Sequence, residues 1–392
     1  MSGPLRLFLV AGEHSGDALG GRLMRAIQAR EGGDVSFAGV GGPEMEAEGL
    51  RSLFPLSDVA VMGPLAILKR LPRLVRRINE AAAAGIAAKP DAVVIIDSPE
   101  FTHPIARRIR RRLPDVAIFD YVSPSVWAWR PGRATRMRVY VDHVLALLPF
   151  EPEVHQRLGG PRCTYVGHPL AERLDEIASV DAGPLRAELG LDPAAKTVTV
   201  LPGSRRSEVE RLMQPFGEAL ARVEAHVGAL NVVIPAVDHV RAVIEQGLGA
   251  WSVRAHVVSG EARKLMAFRA ADAALAASGT VTLELAVAGT PMVVGYRVDA
   301  VAARLQFLVK TPHFALSNLV LGERAFPELM QDDCTAEKLA EALVGILQEG
   351  PVRSAQLAHL RDVPGRLRIE EHSPSAAAAD VILRALRDRG AV

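Results

Sequence analysis

Cysteine is scarce in this chain. Two occur in 392 residues, Cys163 and Cys334, with no Cys-x-x-Cys partner and no histidine at ligand spacing. This argues against a disulfide framework and a structural zinc site, and suits a reducing cytosol. Charge of one sign is lacking as well. The 46 Lys and Arg against 45 Asp and Glu leave a formal net charge of +1, which argues against an extended nucleic-acid footprint. No apolar run approaches the roughly 20 residues of a spanning helix. The first run, "LRLFLVA", meets Glu13 and Asp17 too soon for a signal peptide. A soluble protein, or one that rests on a membrane surface, is expected. Two nucleotide fingerprints are missing too. The turn "AGEHSGDALGG" is neither G-x-G-x-x-G nor G-x-x-x-x-G-K-[ST], so a dehydrogenase or P-loop reading has no support. Asp-x-Asp occurs nowhere, which removes the clustered carboxylates that hold a diphosphate through a divalent metal. No metal site and no cofactor are expected.

What is present is ordinary globular material, 49% hydrophobic and 23% charged, in a chain too long for one core. Apolar β-rich runs alternate with helical patterns. In the first half they are "LRLFLVA", "VSFAGV", "DAVVIID", "VAIFDYV" and "HVLALLP". In the second they are "KTVTVLP", "NVVIPA", "VRAHVVS", "DAALAA" and "PMVVGYR". Near-continuous apolar strands separated by helices predict parallel sheets covered on both faces. The expected class is α/β, with two doubly wound Rossmann-like domains and a cleft between them. Periodicity fades around Ile177 to Pro184, which places domains at 1–176 and 185–372. A last helix, 373–392, is expected to pack back on the first domain or on a partner subunit.

Ligands of such sheets gather at the carboxyl ends of the strands. There, "LPGSRRSEVERL" ends a strand in Pro-Gly-Ser and presents Gly203, Ser204 and Arg205 beside a helix mouth. Ser207 and Glu210 have capping-box spacing, so the helix is predicted to start there and leave backbone N–H groups open to an anion. "ASGTVTLE" repeats the arrangement with Ser278, Gly279 and Thr280, and Glu284 follows one helical turn later. A carboxylate at that position suits the vicinal hydroxyls of a ribose, or is a surface group of an amphipathic helix. Two anion-friendly mouths in one domain favour a nucleotide diphosphate, with Arg205 and helix dipoles neutralising it.

The first domain offers Asp97, which closes the apolar strand of "DAVVIIDSPEF". It fits a general base whose pKa is raised by burial, or the cap of the next helix. Gly12, Ser15, Gly16 and Asp17 form a tight turn after the first strand, with His14 among them. "YVSPSVWAWRPGR" holds two of the three tryptophans. Trp127 and Trp129 share a face if the chain is extended, either as a core pair or as a site rim with Ser123, Ser125 and Arg130. "PLAILKRLPRLVRRI" sets Leu65, Leu68, Leu71, Val75 and Ile78 at near-helical spacing between basic residues. It suits either a helix lying in an anionic headgroup plane or one packed on a sheet and kinked by Pro72.

These stretches resemble the lipid-A-disaccharide synthase family. "VAGEHSGDALG", "GVGGPEMEAEG", "VAVMG", "IIDSPEF", "YVSPSVWAWR", "LALLPFE", "GHPLAE", "LPGSRRSEVE", "ASGTVTLE", "PMVVGYR", "LVKT" and "LSNLVLGE" keep the family's order from residue 10 to beyond 320. The resemblance implies a GT-B fold and an inverting, metal-independent glycosyltransferase of lipopolysaccharide biosynthesis. Its substrates would be UDP-2,3-diacylglucosamine and 2,3-diacylglucosamine 1-phosphate, joined through the acceptor 6-hydroxyl as a β-1,6 disaccharide with release of UDP. It implies Asp97 as base, Arg205 at the diphosphate, Ser278 to Thr280 and Glu284 at the uridine nucleotide, and Asn318 in a site segment. It also implies a cytoplasmic protein held peripherally at the inner leaflet, and is compatible with a homodimer. Three departures stand out. Ser98-Pro99-Glu100 replaces a frequent Ala-Pro-Asp, Ser317 stands where proline is frequent, and Arg206 where smaller residues are common. The nearest rivals are a UDP-GlcNAc 2-epimerase and a peptidoglycan N-acetylglucosaminyltransferase of the same fold. A silent UDP-sugar-binding or membrane-docking protein is the alternative of another class.

Overall fold

In the first 170 residues the apolar runs become seven strands, β1 (Leu5–Ala11), β2 (Val35–Val40), β3 (Arg51–Ser52), β4 (Ala92–Ile96), β5 (Ala117–Tyr121), β6 (His143–Ala146) and β7 (Arg162–Tyr165). They pair in the order β3-β2-β1-β4-β5-β6-β7, every pair parallel. A second sheet holds β8 (Lys196–Leu201), β9 (Leu230–Pro235), β10 (Ala255–Val258), β11 (Ala273–Ala276), β12 (Met292–Tyr296) and β13 (Glu328–Met330), in the order β10-β9-β8-β11-β12-β13 and again all parallel. This computed structural model describes residues 4–32, 34–59, 64–299, 311–369 and 373–390, with 64–70 given as helical backbone alone. The segments 60–63 of "VAVMG" and 308–310 of "LVKT" lie outside the described residues.

Burial on both faces explains the unbroken apolar strands. Leu7, Leu9 and Ala11 of β1 point into one cluster with Leu23, Met24 and Ile27 of the helix His14–Glu31. Phe8 and Val10 point the opposite way, onto Ile78, Ala81 and Ala82 of the helix Pro64–Ala88 and Ile105 of the helix Pro99–Arg112. Alternate residues thus serve two cores, as the two-residue period of a strand requires.

The chain divides into two compact units, Met1–Ala171 with Ile369–Val392, and Glu172–Arg368. The last helix, Pro374–Asp388, belongs to the first unit. Its Ala378, Ala379, Ile382, Leu383 and Leu386 are buried in the cluster with Leu23 and Ile27. Arg30 pairs with Asp380, and Arg387 reaches Glu31 at 3.0 Å.

In each sheet the strand order reverses once, between β1 and β4 and between β8 and β11. At such a reversal the flanking loops diverge and leave a crevice beyond the carboxyl ends. The loop after β8 carries Gly203 to Arg205 and the loop after β11 carries Ser278 to Thr280, while Gly12 follows β1 and Asp97 follows β4. The fold therefore brings these candidates to the equivalent point of each sheet.

Among the described side chains of the helix Pro64–Ala88, the predicted apolar positions are not equally buried. Ile78 belongs to the core, and the adjoining Arg77 is held by Asp58 and by Glu80 at 2.7 Å, over the Phe54 ring. Leu71 and Val75, spaced i and i+4 on the same side of the helix as Ile78, are 45% and 43% exposed, so that side leaves the core in the helix's first half. Leu65 and Leu68 lie outside the residues whose side chains are described.

Candidate active site

The second unit contains a cavity of about 340 Å³ that both predicted loops line. Gly203, Ser204 and Arg205 form one wall, Ser278, Gly279, Thr280 and Glu284 another, and Glu208 and Lys264 complete it. Arg205 and Glu284 thus face one space, as a site for a nucleotide diphosphate requires.

The local chemistry of the first loop differs from the expectation. The helix is Arg206–Val227, and its capping box uses Glu208 rather than Ser207 with Glu210. Glu208 is buried, and its Oε2 accepts the backbone N–H of Ser204 and of Arg205, each at 3.2 Å. Its Oε1 accepts from the Arg205 guanidinium at 2.7 Å and from the Tyr296 hydroxyl at 2.9 Å. Burial beside this carboxylate pushes Tyr296 up to about 12. The protein's own carboxylate therefore occupies two of the loop N–H groups predicted to be open, those of Ser204 and Arg205. The cation that this loop presents to the cavity is the Arg205 side chain, which is 59% exposed. Gly203 is required because its φ is +117° and a Cβ would meet Glu208 Cβ at 2.6 Å. Glu210 instead pairs with Arg206 on the surface.

At the second mouth Thr280 precedes the helix Val281–Ala288, and the Ser278 hydroxyl donates to the Phe314 carbonyl at 2.9 Å. Glu284 is half-buried on the cavity wall rather than on an open surface, with Lys264 Nζ 3.1 Å from each of its oxygens. Lys264 escaped the sequence reading because it lies inside a helix with no flanking motif.

In the first unit Asp97 sits at the strand-order reversal with φ +53°, followed by Ser98 at +44°. Val122, just past β5, holds φ +85°, unusual for a β-branched residue. Each such residue costs on the order of 1–3 kcal/mol, and such strain collects at functional sites. Gly12 makes room for the turn, since a Cβ there would meet Ser98 Cβ at 2.5 Å. Asp97 Oδ1 accepts the Ser98 N–H at 2.7 Å, and the Ser15 hydroxyl lies 3.5 Å from Oδ2. A helix cap does not describe this geometry. Ser98 is the N-cap residue, and the Asp97 carboxylate reaches no farther into the helix than Ser98. Burial raises the Asp97 pKa above its ordinary 3.8, the charges of Glu13 and Asp120 add to the rise, and the Ser98 and Ser15 hydrogen bonds oppose it. A Cβ on Gly16 would lie 3.2 Å from the Ile96 carbonyl oxygen, and His14 is exposed on the first helical turn.

Other candidates have structural partners. Asp17 is buried and accepts three backbone N–H groups, from Gly42 at 2.7 Å and from Glu44 and Met45 at 3.1 Å, so it caps the short helix Pro43–Ala47. Asp17→Ala leaves those donors unmatched and is expected to cost about 2–3 kcal/mol, read as a lower urea midpoint; an unchanged midpoint would refute the capping role. Asn318 is fully buried and clasps its own loop, donating to the Phe326 carbonyl and Glu328 and accepting the Phe326 N–H. It does not line the cavity. The tryptophans do not share a face, because Ala128 and Trp129 N–H both donate to the Ser125 carbonyl and turn the chain. Trp127 packs edge-on to Phe150 and donates to Glu151, a buried carboxylate pushed up to about 7. Trp129 is exposed beneath Arg130, whose guanidinium lies 5.4 Å from the ring centroid. Ser123 is buried with its hydroxyl 2.9 Å from His155 Nε2, while Ser125 is exposed. No group of three or more potential ligands gathers for a metal ion among the described residues.

Two all-parallel, helix-covered sheets, each with one strand-order reversal, define a GT-B protein. The same fold is seen, over nearly the whole chain, in a Staphylococcus aureus MnaA–UDP structure with TM-score 0.66 and 11% identity, covering 99% of this chain and 98% of that one. The calicheamicin glycosyltransferase CalG4 has TM-score 0.57 and 19% identity, with 100% of each chain covered. Within this fold class, the family model for lipid-A-disaccharide synthetase matches residues 7–382. The lipid-A-disaccharide synthase of Rhodopseudomonas palustris strain HaA2 is 49% identical over 97% of this chain and 96% of its own length. The chain belongs to the lipid-A-disaccharide synthase family and is thereby a glycosyltransferase.

Proposed function

We propose that this chain moves 2,3-diacylglucosamine from UDP-2,3-diacylglucosamine to the 6-hydroxyl of 2,3-diacylglucosamine 1-phosphate, giving a β-1,6 disaccharide 1-phosphate and UDP. Asp97 carries the proposal. It is a half-buried carboxylate held in a strained turn at the strand-order reversal of the first unit, with its proton affinity raised. Such a group takes the proton of an attacking hydroxyl. Ser15 and the Ser98 N–H orient it. In the second unit Glu284 accepts from the ribose hydroxyls, the helix mouth at Thr280 receives phosphate, and Arg205 neutralises the departing diphosphate. One in-line displacement inverts the anomeric centre, so one base suffices.

An enzyme of this kind releases UDP only when the acceptor is supplied. UDP release should follow acceptor concentration, whereas UDP release or epimerised donor without acceptor would overturn the reading in favour of an epimerase.

Both proposed substrates carry acyl chains, which supports a reaction at a membrane surface, read here as the cytoplasmic face of the inner membrane. Support comes from Leu71 and Val75, exposed one helical turn apart with Arg73 and Arg76 between and beside them. No helix among the described residues is long and apolar enough to cross a membrane. Such a face enters the headgroup boundary without spanning it. Replacing Leu71 and Val75 with serine is expected to reduce co-sedimentation with anionic vesicles about ten-fold. Unchanged co-sedimentation would assign the face to another contact.

A further inference from the structure

Glu284 does not stand alone on the cavity wall. Lys264, from the helix Glu261–Ala270, places Nζ 3.1 Å from Oε1 and 3.1 Å from Oε2 of Glu284, which lies on a different helix. The same ammonium is 2.9 Å from Glu261. Glu261 in turn accepts from Arg173 at 2.9 Å, and Arg173 is bonded to Glu176. Charges alternate from the unit's surface to the cavity, and the row ends on Glu284.

We propose that Lys264 is a positioning residue that fixes the Glu284 carboxylate as acceptor for the ribose hydroxyls of the bound nucleotide. The proposal deepens the nucleotide-site reading above and rests on it. Three features favour this role over direct contact with the diphosphate. The ammonium already faces two carboxylates, so its charge is matched where it stands and would be stripped of both partners by moving to a phosphate. Its contact with Glu284 is symmetric, using one side of each oxygen, and a carboxylate has about four acceptor sites, so capacity remains for two hydroxyls. A glutamate side chain also has several rotamers to lose on binding a ligand, and a tether that orders it beforehand lowers that cost.

The test separates ribose from phosphate. Uridine, UDP and 2′,3′-dideoxyuridine 5′-diphosphate are titrated by calorimetry or NMR into the full-length protein and its variants. Lys264→Met should weaken uridine and UDP by the same factor, about ten-fold, as expected when a charge-assisted contact loses its ordering. It should leave the dideoxy compound unchanged, which also shows that the variant is folded. Lys264→Arg should restore most of the loss, and Lys264→Met should add nothing in a Glu284→Gln background. A loss confined to the diphosphates would overturn the proposal in favour of a phosphate contact. Equal affinities in wild type and Lys264→Met would overturn it outright, provided Glu284→Gln itself weakens UDP. Should Glu284→Gln leave UDP binding intact, the nucleotide-site reading itself fails, and the role of Lys264 with it.

Discussion

Asp97→Asn is expected to lower turnover about 10³-fold, within the range that a general base contributes, while UDP affinity stays at the wild-type value. Asparagine is a fair replacement sterically. It tolerates the left-handed backbone that Asp97 adopts at φ +53°, and its amide oxygen can still accept the Ser98 N–H. Loss of activity would then report the missing base rather than a collapsed turn. Two pH observations accompany it. A base works deprotonated, and burial raises the Asp97 pKa, so the acid limb of kcat/KM should lie above the ordinary 3.8 of an aspartate and vanish in the variant's residual activity. Stability runs the opposite way. A folded pKa above the unfolded one means that the stabilisation is complete below the unfolded value and is lost as pH rises through the folded one. Asp97→Asn should therefore raise the thermal midpoint at neutral pH and leave it unchanged in acid below 3.8. Turnover unchanged by the substitution would remove Asp97 from the chemistry.

Arg205→Ala is expected to weaken UDP about 10- to 100-fold and to leave uridine binding unaltered, since a charge-assisted contact to phosphate is lost and nothing touching the nucleoside changes. The contrast with Lys264, whose loss should affect both ligands alike, assigns the two cationic side chains to different parts of one nucleotide. The variant keeps the loop's shape, because Glu208 retains the Ser204 and Arg205 backbone N–H groups and the Tyr296 hydroxyl. Calorimetry reads both affinities. A uridine loss as large as the UDP loss would mean that the loop had moved and that Arg205 is structural.

The sequence made the interior of both sheets readable, because β1, β4, β5, β8 and β11 are buried on both faces and so are written as apolar runs. The strands it did not announce are β3, β7 and β13, and all three are sheet edges. "RS", "RCTY" and "ELM" have neither the length nor the unbroken apolar pattern of a strand covered on both sides. At the candidate site, the residues singled out by turn chemistry, Gly203 to Arg205 and Ser278 to Thr280, line one cavity. Spacing alone could not say which carboxylate would turn inward. Glu208 and Glu210 are both near the helix start, but burial and the Tyr296 hydroxyl select Glu208. Asp17 and Asn318 show the converse. Both are polar residues in distinctive motifs, yet each spends its hydrogen bonds within its own unit, Asp17 on backbone N–H groups and Asn318 on the Phe326 backbone and the Glu328 carboxylate. Lys264 had no motif at all, and only a contact between two helices reveals it.

The transfer itself is tested most directly by identifying the product. With UDP-2,3-diacylglucosamine and 2,3-diacylglucosamine 1-phosphate at a vesicle surface, mass spectrometry and NMR should find one UDP per disaccharide 1-phosphate, joined β-1,6. An α linkage would contradict the single displacement, and consumption of donor with no disaccharide formed would contradict the proposed reaction altogether.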